Sequence, residues 1–324
     1  MISIISVENI VISKKVLLKL NNFFKSQSIV FTIPSTVDCV DGLIESLNNE
    51  EITGVWFHGG LSIKTPLEST KRMKQLIFKL ESKKDQINEM SFSKPVLGYC
   101  WSVPFLYFLK RMKFENIYHG PLAQNYRFYA FSQRHLTDIS KSLTGKLKTQ
   151  LIPAKAINES ARNCHDLSGF LFAGVVQVIY PLLVKYFLIG PKKQKQKEEE
   201  KQKEKEEEKE KEKEKEKELE METENKDLIL IFEVYGSLKL SQCLQGIIKL
   251  IKSKKISIKA IMIGHLLTKN SKALEAIEDF KEQIKNLSIP LFVNLPVGHI
   301  PPNFVFQITR STINYQEDHI RFKF

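Results

Sequence analysis

Apolar positions along the chain follow two periods, and the alternation between them sets out the elements. From residue 8 to 24 they recur at helical spacing (Ile10, Val11, Val16, Leu17, Leu20, Phe24), which predicts an amphipathic helix. Ile29 to Ile33 is a short β-type run closed by Pro34-Ser35, Val40 to Leu47 reads as a helix, and Gly54 to His58 reads as a strand ending in Gly59-Gly60. Pro66 suits the first turn of a long charged helix that continues to about Ile87. The apolar strand Pro95 to Tyr99 then breaks at Gly98-Tyr99-Cys100-Trp101 into an apolar segment reaching about Met112.

After Tyr118-His119-Gly120-Pro121 the pattern weakens, and residues 130–165 read as a polar connection. Phe170 to Gly190 is very apolar and approaches the length of a bilayer span. Gln177 and Lys185 lie inside it, which favours a buried core segment over a membrane anchor. A buried strand follows at Leu228 to Val234, with one carboxylate, Glu233, near its end. A helix at Ser241 to Lys252, a strand at Ile258 to Gly264, a helix at Ala273 to Asn286 and a strand at Pro290 to Asn294 complete a second unit. Such alternation predicts an α/β chain with parallel sheets, where ligands bind at the carboxyl ends of strands.

The chain has 324 residues, enough for two domains. The expected division is an N-terminal nucleophile domain at 1–135, a linker at 136–160, and a C-terminal domain at 161–324. A Lys/Glu insertion at about 191–227 interrupts the last of these. Between Lys192 and Lys226 there are 13 lysines and 15 glutamates with no apolar face, a composition that stays disordered or forms a single solvated helix. That tract carries a net charge of −2, so the rest of the chain carries +14 to give the overall +12, an excess spread in ones and twos without aromatic interleaving. Nucleic-acid binding is therefore not expected. Four scattered cysteines (Cys39, Cys100, Cys164, Cys243) form neither a disulfide framework nor a zinc pattern, and no secretory signal opens the sequence. A cytoplasmic setting without metal or cofactor is the expectation.

Three reactive side chains stand at predicted strand ends. Cys100 sits where a strand turns into a helix, a geometry that exposes a nucleophile and aims helical N–H groups at what it attacks. A buried structural cysteine is the alternative for that position. Glu233 ends a buried run, where an unpaired carboxylate would be costly. His299 lies in a Gly-His turn after the last strand, where a plain loop histidine is the alternative. Nucleophile, base and orienting carboxylate together make a hydrolytic triad, in whatever order the chain delivers them.

The segments Phe57-His-Gly-Gly-Leu61, Lys94-Pro-Val-Leu-Gly-Tyr-Cys100, Tyr118-His-Gly-Pro121, Leu230-Ile-Phe-Glu233 and Leu295-Pro-Val-Gly-His299 share their order and rough spacing with one family. The chain resembles the LD-carboxypeptidases, muramoyltetrapeptide carboxypeptidases whose relatives include the microcin-immunity peptidases. The resemblance spans nearly the whole chain apart from the Lys/Glu tract. It implies an N-terminal parallel sheet of glutamine-amidotransferase-like type, a C-terminal α/β domain of the LD-carboxypeptidase type, and a Ser-Glu-His triad without metal. By position, Cys100 matches the nucleophilic serine, Glu233 the triad glutamate and His299 the base. Gly59, Gly60 and the N–H of Trp101 match the oxyanion hole. A small muropeptide-type peptide would be the substrate, and family members commonly form homodimers.

This sequence departs from the family pattern at several points. Cysteine replaces serine, Trp101 replaces the following aspartate, Val234 follows the glutamate, and His58 replaces the loop arginine. Phe172-Ala-Gly-Val-Val176 stands where the family has Gly-Gly-Asn-Leu. A thiol performs acyl transfer when a histidine or a helix N-terminus lowers its pKa, so Cys100 is compatible with catalysis. These departures also admit a degenerate relative acting as a binding or scaffold protein. A glutamine-amidotransferase-type cysteine hydrolase fits less well, because Ser102 occupies the second glycine of its Gly-x-Cys-x-Gly elbow and no His-x-Glu pair occurs.

Overall fold

The computed structural model describes residues 1–6, 14–36, 38–58, 75–99, 102–121, 133–184, 227–235, 240–254, 256–267, 270–297 and 303–324. Two sheets organise them. The first contains β1 (Ile2–Ser6), β2 (Phe31–Thr32), β3 (Gly54–His58), β4 (Val96–Gly98), β5 (Ile117–His119) and the late strand β12 (Phe306–Gln307). Their order is β12-β5-β4-β3-β1-β2, with β1 to β5 parallel and β12 antiparallel to β5. The second contains β6 (Thr149–Pro153), β7 (Lys155–Ala156), β8 (Leu167–Val175), β9 (Asp227–Tyr235), β10 (Ser257–Leu267), β11 (Leu291–Leu295), β13 (Arg310–Gln316) and β14 (His319–Lys323). It is mixed, ordered β6-β14-β13-β8-β9-β10-β11-β7, with β8 to β11 parallel and antiparallel strands at both sides.

Strand β9 shows why its sequence reads as a continuous apolar run. Leu228, Leu230 and Phe232 enter one core while Ile229 and Ile231 enter another, and all five are fully buried. A period of two with both faces covered leaves no polar position. The first of these cores also takes Val55, Phe57 and Val96 from the other sheet, so one apolar mass joins the two. Between them lies α4 (Val103–Arg111), whose residues Val103 to Leu109 are all buried. Its unbroken apolar sequence follows from packing against both sheets.

The remaining helices are α1 (Lys14–Phe23), α2 (Cys39–Asn48), α3 (75–82), α5 (Gln133–Leu143), α6 (Glu159–Arg162), α7 (Val176–Leu183), α8 (Leu240–Lys252) and α9 (Ser271–Lys285). Helix α2 begins at Asp38, whose carboxylate accepts 3.0 Å hydrogen bonds from the N–H groups of Val40 and Asp41.

Several expectations change here. Residues 2–6, whose serines break the apolar run, form β1. Its Ser3 is buried because its hydroxyl pairs with that of Ser46 at 2.6 Å. Residues 130–165, expected to be a polar connection, hold α5, β6, β7 and α6, and β6 and β7 close the two edges of the second sheet. The apolar segment from Phe170 is strand β8 followed by α7; among the described residues no helix is long and apolar enough to cross a membrane. The Lys/Glu tract and residues 66–74 of the expected charged helix lie outside the described residues.

Candidate functional site around the Tyr99–Glu233 contact

Strand β4 delivers the candidate nucleophile turn. Its register places Gly98 beside His119 of β5, and the N–H of Gly120 donates to the carbonyl of Gly98 at 3.0 Å. The next residue, Tyr99, is clamped from ahead. Its N–H donates to Ser102 Oγ at 2.7 Å, the same hydroxyl donates to the Tyr99 carbonyl at 2.9 Å, and the Ser102 N–H reaches that carbonyl at 3.1 Å. This closed turn spans the two positions of Cys100 and Trp101, which themselves lie outside the described residues. Helix α4 starts immediately afterwards with Pro104 in its first turn, where its missing N–H costs nothing.

The turn is tight enough to require glycine before it. A Cβ at Gly98 would fall 2.5 Å from Ser102 Oγ and 3.0 Å from the Phe57 ring. The Tyr-His-Gly-Pro turn is held from the next strand but one, because the Trp56 indole donates to the Pro121 carbonyl at 2.7 Å. Burial pushes the neighbouring Tyr118 hydroxyl up to about 12. Lys94, which opens this segment, donates from Nζ to the carbonyls of Leu47 and Asn49 at 2.5 and 2.8 Å, tying the strand to the end of α2.

Glu233 comes from the other sheet. It sits near the carboxyl end of β9, 1 % exposed, in register with Val175 of β8. The Tyr99 hydroxyl donates a hydrogen bond to its Oε2. The residue immediately before Cys100 therefore touches the carboxylate assigned to the triad, across the junction of the two sheets.

The third part of the constellation approaches along β11. Strands β9, β10 and β11 are parallel, so their carboxyl ends share one edge. A bulge in β10 sets Gly264 and His265 between the pairs Ile263–Phe232 and Leu266–Val234, and Gly264 pairs with Leu295. The chain after Leu295 is fastened there by the His265 N–H, which donates to the Val297 carbonyl at 3.1 Å. A Cβ at Gly264 would fall 2.2 Å from that carbonyl, so the close approach depends on glycine. His299, two residues beyond Val297, lies outside the described residues, as do Gly59 and Gly60, which follow the end of β3 at His58.

Of the candidate residues, Glu233 is thus placed and its surroundings are defined. Sequence reasoning missed Tyr99, Ser102 and His119 as parts of the site. His119 is fully buried with its ring 5.0 Å from that of Tyr99. The Ser102 signal was present as a hydroxyl three residues past a strand-ending Tyr, the spacing of a side-chain-closed turn. The Tyr99 contact is tertiary and left no mark in the local pattern.

Comparison with known proteins follows the same lines. Residues 214–312 match the model of the LD-carboxypeptidase C-terminal domain. That stretch includes both Glu233 and His299. Among solved structures, the chain is similar to an MccF-like protein from Streptococcus pneumoniae in complex with AMP. The identity is 14%, the TM-score 0.63, and the match covers 99% of this chain and 98% of that one. It is similar to the muramoyltetrapeptide carboxypeptidase from Oxalobacter formigenes at 14% identity and TM-score 0.58, over 99% and 97% of the two chains. Microcin C7 self immunity protein MccF, in its wild-type form without ligand, gives 13% identity and TM-score 0.61 over 100% and 95%. No curated protein matches the sequence.

Proposed function

We propose that this chain, whose residues 214–312 match the LD-carboxypeptidase C-terminal domain, is a peptidase of that family using Cys100, His299 and Glu233 as a Cys-Glu-His form of the family's triad. The observation that carries this reading is the contact between Tyr99 and Glu233. Two segments 134 residues apart in sequence, one leading into the candidate nucleophile and one bearing the candidate carboxylate, meet in a buried place.

In this mechanism His299 takes the thiol proton of Cys100, and Sγ bonds to the carbonyl carbon of a C-terminal peptide amide. The backbone N–H groups at Gly59, Gly60 and Trp101 stabilise the oxyanion; losing one such donor typically costs about 10² to 10³ in rate. The C–N bond then breaks, and the departing amine takes the proton from His299. Water, deprotonated by the same imidazole, hydrolyses the thioester and restores the free thiol. Glu233 orients the imidazole and stabilises its charged form, as the carboxylate of a triad does.

The substrate class proposed is a small muropeptide-type peptide ending in an L,D amide bond, with a glutamine-amidotransferase-like N-terminal sheet carrying the nucleophile. A cytoplasmic homodimer is the proposed working form. The test is a mass measurement of the intact protein mixed with an L,D-tetrapeptide. A transient adduct on Cys100 equal to the acyl portion, followed by release of the terminal D-amino acid, supports the reading. Release without any Cys100 adduct, and unaffected by Cys100→Ala, would remove the thiol from the mechanism.

A further inference from the structure

We propose that Tyr99 is a positioning residue for Glu233: its hydroxyl holds the carboxylate while its backbone is locked into the nucleophile turn. The two halves of the triad are thereby set in place together. This rests on the reading of Glu233 as the triad carboxylate.

Three observations carry it. The Tyr99 hydroxyl donates to Glu233 Oε2, and both residues are only 1 % exposed, so water does not compete for that oxygen. The backbone of Tyr99 is held on both its N–H and its carbonyl by Ser102, with a neighbouring glycine that allows no side chain there. Its ring lies against the fully buried imidazole of His119, inclined at 51°. Backbone and ring of Tyr99 are therefore each held by a partner other than Glu233, and the hydroxyl they place directs the carboxylate oxygen bonded to it.

A carboxylate that orients an imidazole must present its other oxygen in one direction, and triad function is sensitive to that geometry. Glu233 lies near the carboxyl end of a strand, where neighbouring backbone pairing shifts register, so its strand alone does not determine its side-chain torsions. The hydroxyl of Tyr99 adds a constraint from the opposite sheet. A phenylalanine would fill the same apolar space and remove that constraint.

The experiment uses the full chain with Tyr99→Phe, Glu233→Gln and the double substitution. Cys100 alkylation by iodoacetamide is followed from pH 5 to 9, with the site identified by peptide mass; kcat and KM on an L,D-tetrapeptide are measured alongside. Thermal unfolding is recorded separately. Should Tyr99→Phe not fold, Tyr99→Met replaces it, a flexible side chain that fills the space without a hydroxyl.

The expected result is that each single substitution slows neutral-pH labelling about tenfold, with no further loss in the double, and that Tyr99→Phe lowers kcat with KM unchanged. The labelling pattern alone, without peptide hydrolysis by the unsubstituted chain, would sink the peptidase reading and leave the positioning role standing. Labelling and kcat unchanged in Tyr99→Phe, with Glu233→Gln impaired, would overturn the positioning role and leave the triad. A lowered melting temperature as the only effect of Tyr99→Phe would reduce the contact to a structural one and overturn the proposal. Labelling indifferent to Glu233→Gln would also overturn it, since no carboxylate would then need positioning.

Discussion

Gly98 and Ser102 exclude any side chain between them: a Cβ on the glycine would stand 2.5 Å from the serine hydroxyl, which is itself engaged on both sides by Tyr99. The candidate nucleophile turn therefore depends on the pair that flanks Cys100 two positions to either side. Gly98→Ala is expected to cost about 1 to 3 kcal/mol through overpacking. Ser102→Ala is expected to cost a similar amount, about 1 to 3 kcal/mol, by leaving the buried Tyr99 N–H without its acceptor. Because both act on one contact, the double substitution should destabilise less than their sum. Urea unfolding of the four proteins measures this, and strict additivity would show that the two residues are independent.

A second tie between the halves is Tyr107 of α4. The N–H of Ala173, on β8, donates to its hydroxyl at 2.7 Å, and its ring stacks on Phe172 with centroids 4.1 Å apart. Burial pushes this hydroxyl far above the ordinary tyrosine value. Tyr107→Phe keeps the stacked ring but orphans a buried backbone donor, so a loss of about 1 to 3 kcal/mol is expected. Chemical denaturation checks it, and an unchanged midpoint would mean that the N–H finds another partner.

Lys94 makes a narrower prediction. Its ammonium caps two carbonyls at the end of α2, and burial holds its pKa below the usual lysine value. Lys94→Met keeps the aliphatic stem and removes both bonds. The expected cost is about 1 kcal/mol, with Lys94→Arg recovering part of it. A hydrogen-exchange comparison should place the added opening at residues 45–49 and nowhere in the second sheet.

Acidification should destabilise the fold in two steps. Burial holds the imidazoles of His135 and His265 below the usual histidine value of 6.5, with Arg134 adding to the effect at His135 against an opposing Asp138. Folded pKa values below the unfolded one give stability that is complete above about 6.5 and declines as pH falls towards the folded values. At Asp38 burial works to raise the pKa but is outweighed by Lys79 and the Asp41 N–H, whereas hydrogen bonds from Lys83 and Lys79 lower that of Asp41. Those carboxylates contribute above their usual 3.8 and lose that contribution at lower pH. Stability measured between pH 7.5 and 3 should therefore fall first below about 6.5 and again below about 4. A rise between pH 7.5 and 5.5 would contradict the histidine assignment.

The inner strands and their helices were legible because both faces of a parallel strand are covered, which writes a continuous apolar run into residues such as Leu228 to Phe232. The antiparallel hairpin near the end of the chain was not. Strands β13 and β14 are short and half polar, with Ile313, Ile320 and Phe322 as their buried apolar positions, and their two-residue connection, Glu317-Asp318, adopts left-handed φ values of 49° and 58° without the usual Asn-Gly signature. The Asp318 carboxylate accepts the Tyr315 hydroxyl at 2.8 Å and helps hold that turn, a contact no local pattern announces. Strand β1 escaped notice because its serines interrupt the apolar run, and Ser3 is buried only by virtue of its partner Ser46. The same holds at the site. Glu233 stood out as a carboxylate inside a buried run, whereas the importance of Tyr99 depends on where a distant strand passes.

Release of the terminal D-amino acid from an L,D-tetrapeptide decides whether Cys100 is a nucleophile acting on a peptide amide. The purified chain should release it, Cys100→Ala should abolish release with the melting temperature kept within a few degrees, and Glu233→Gln should slow it by at least about 10²-fold. Undiminished release by Cys100→Ala would contradict the account.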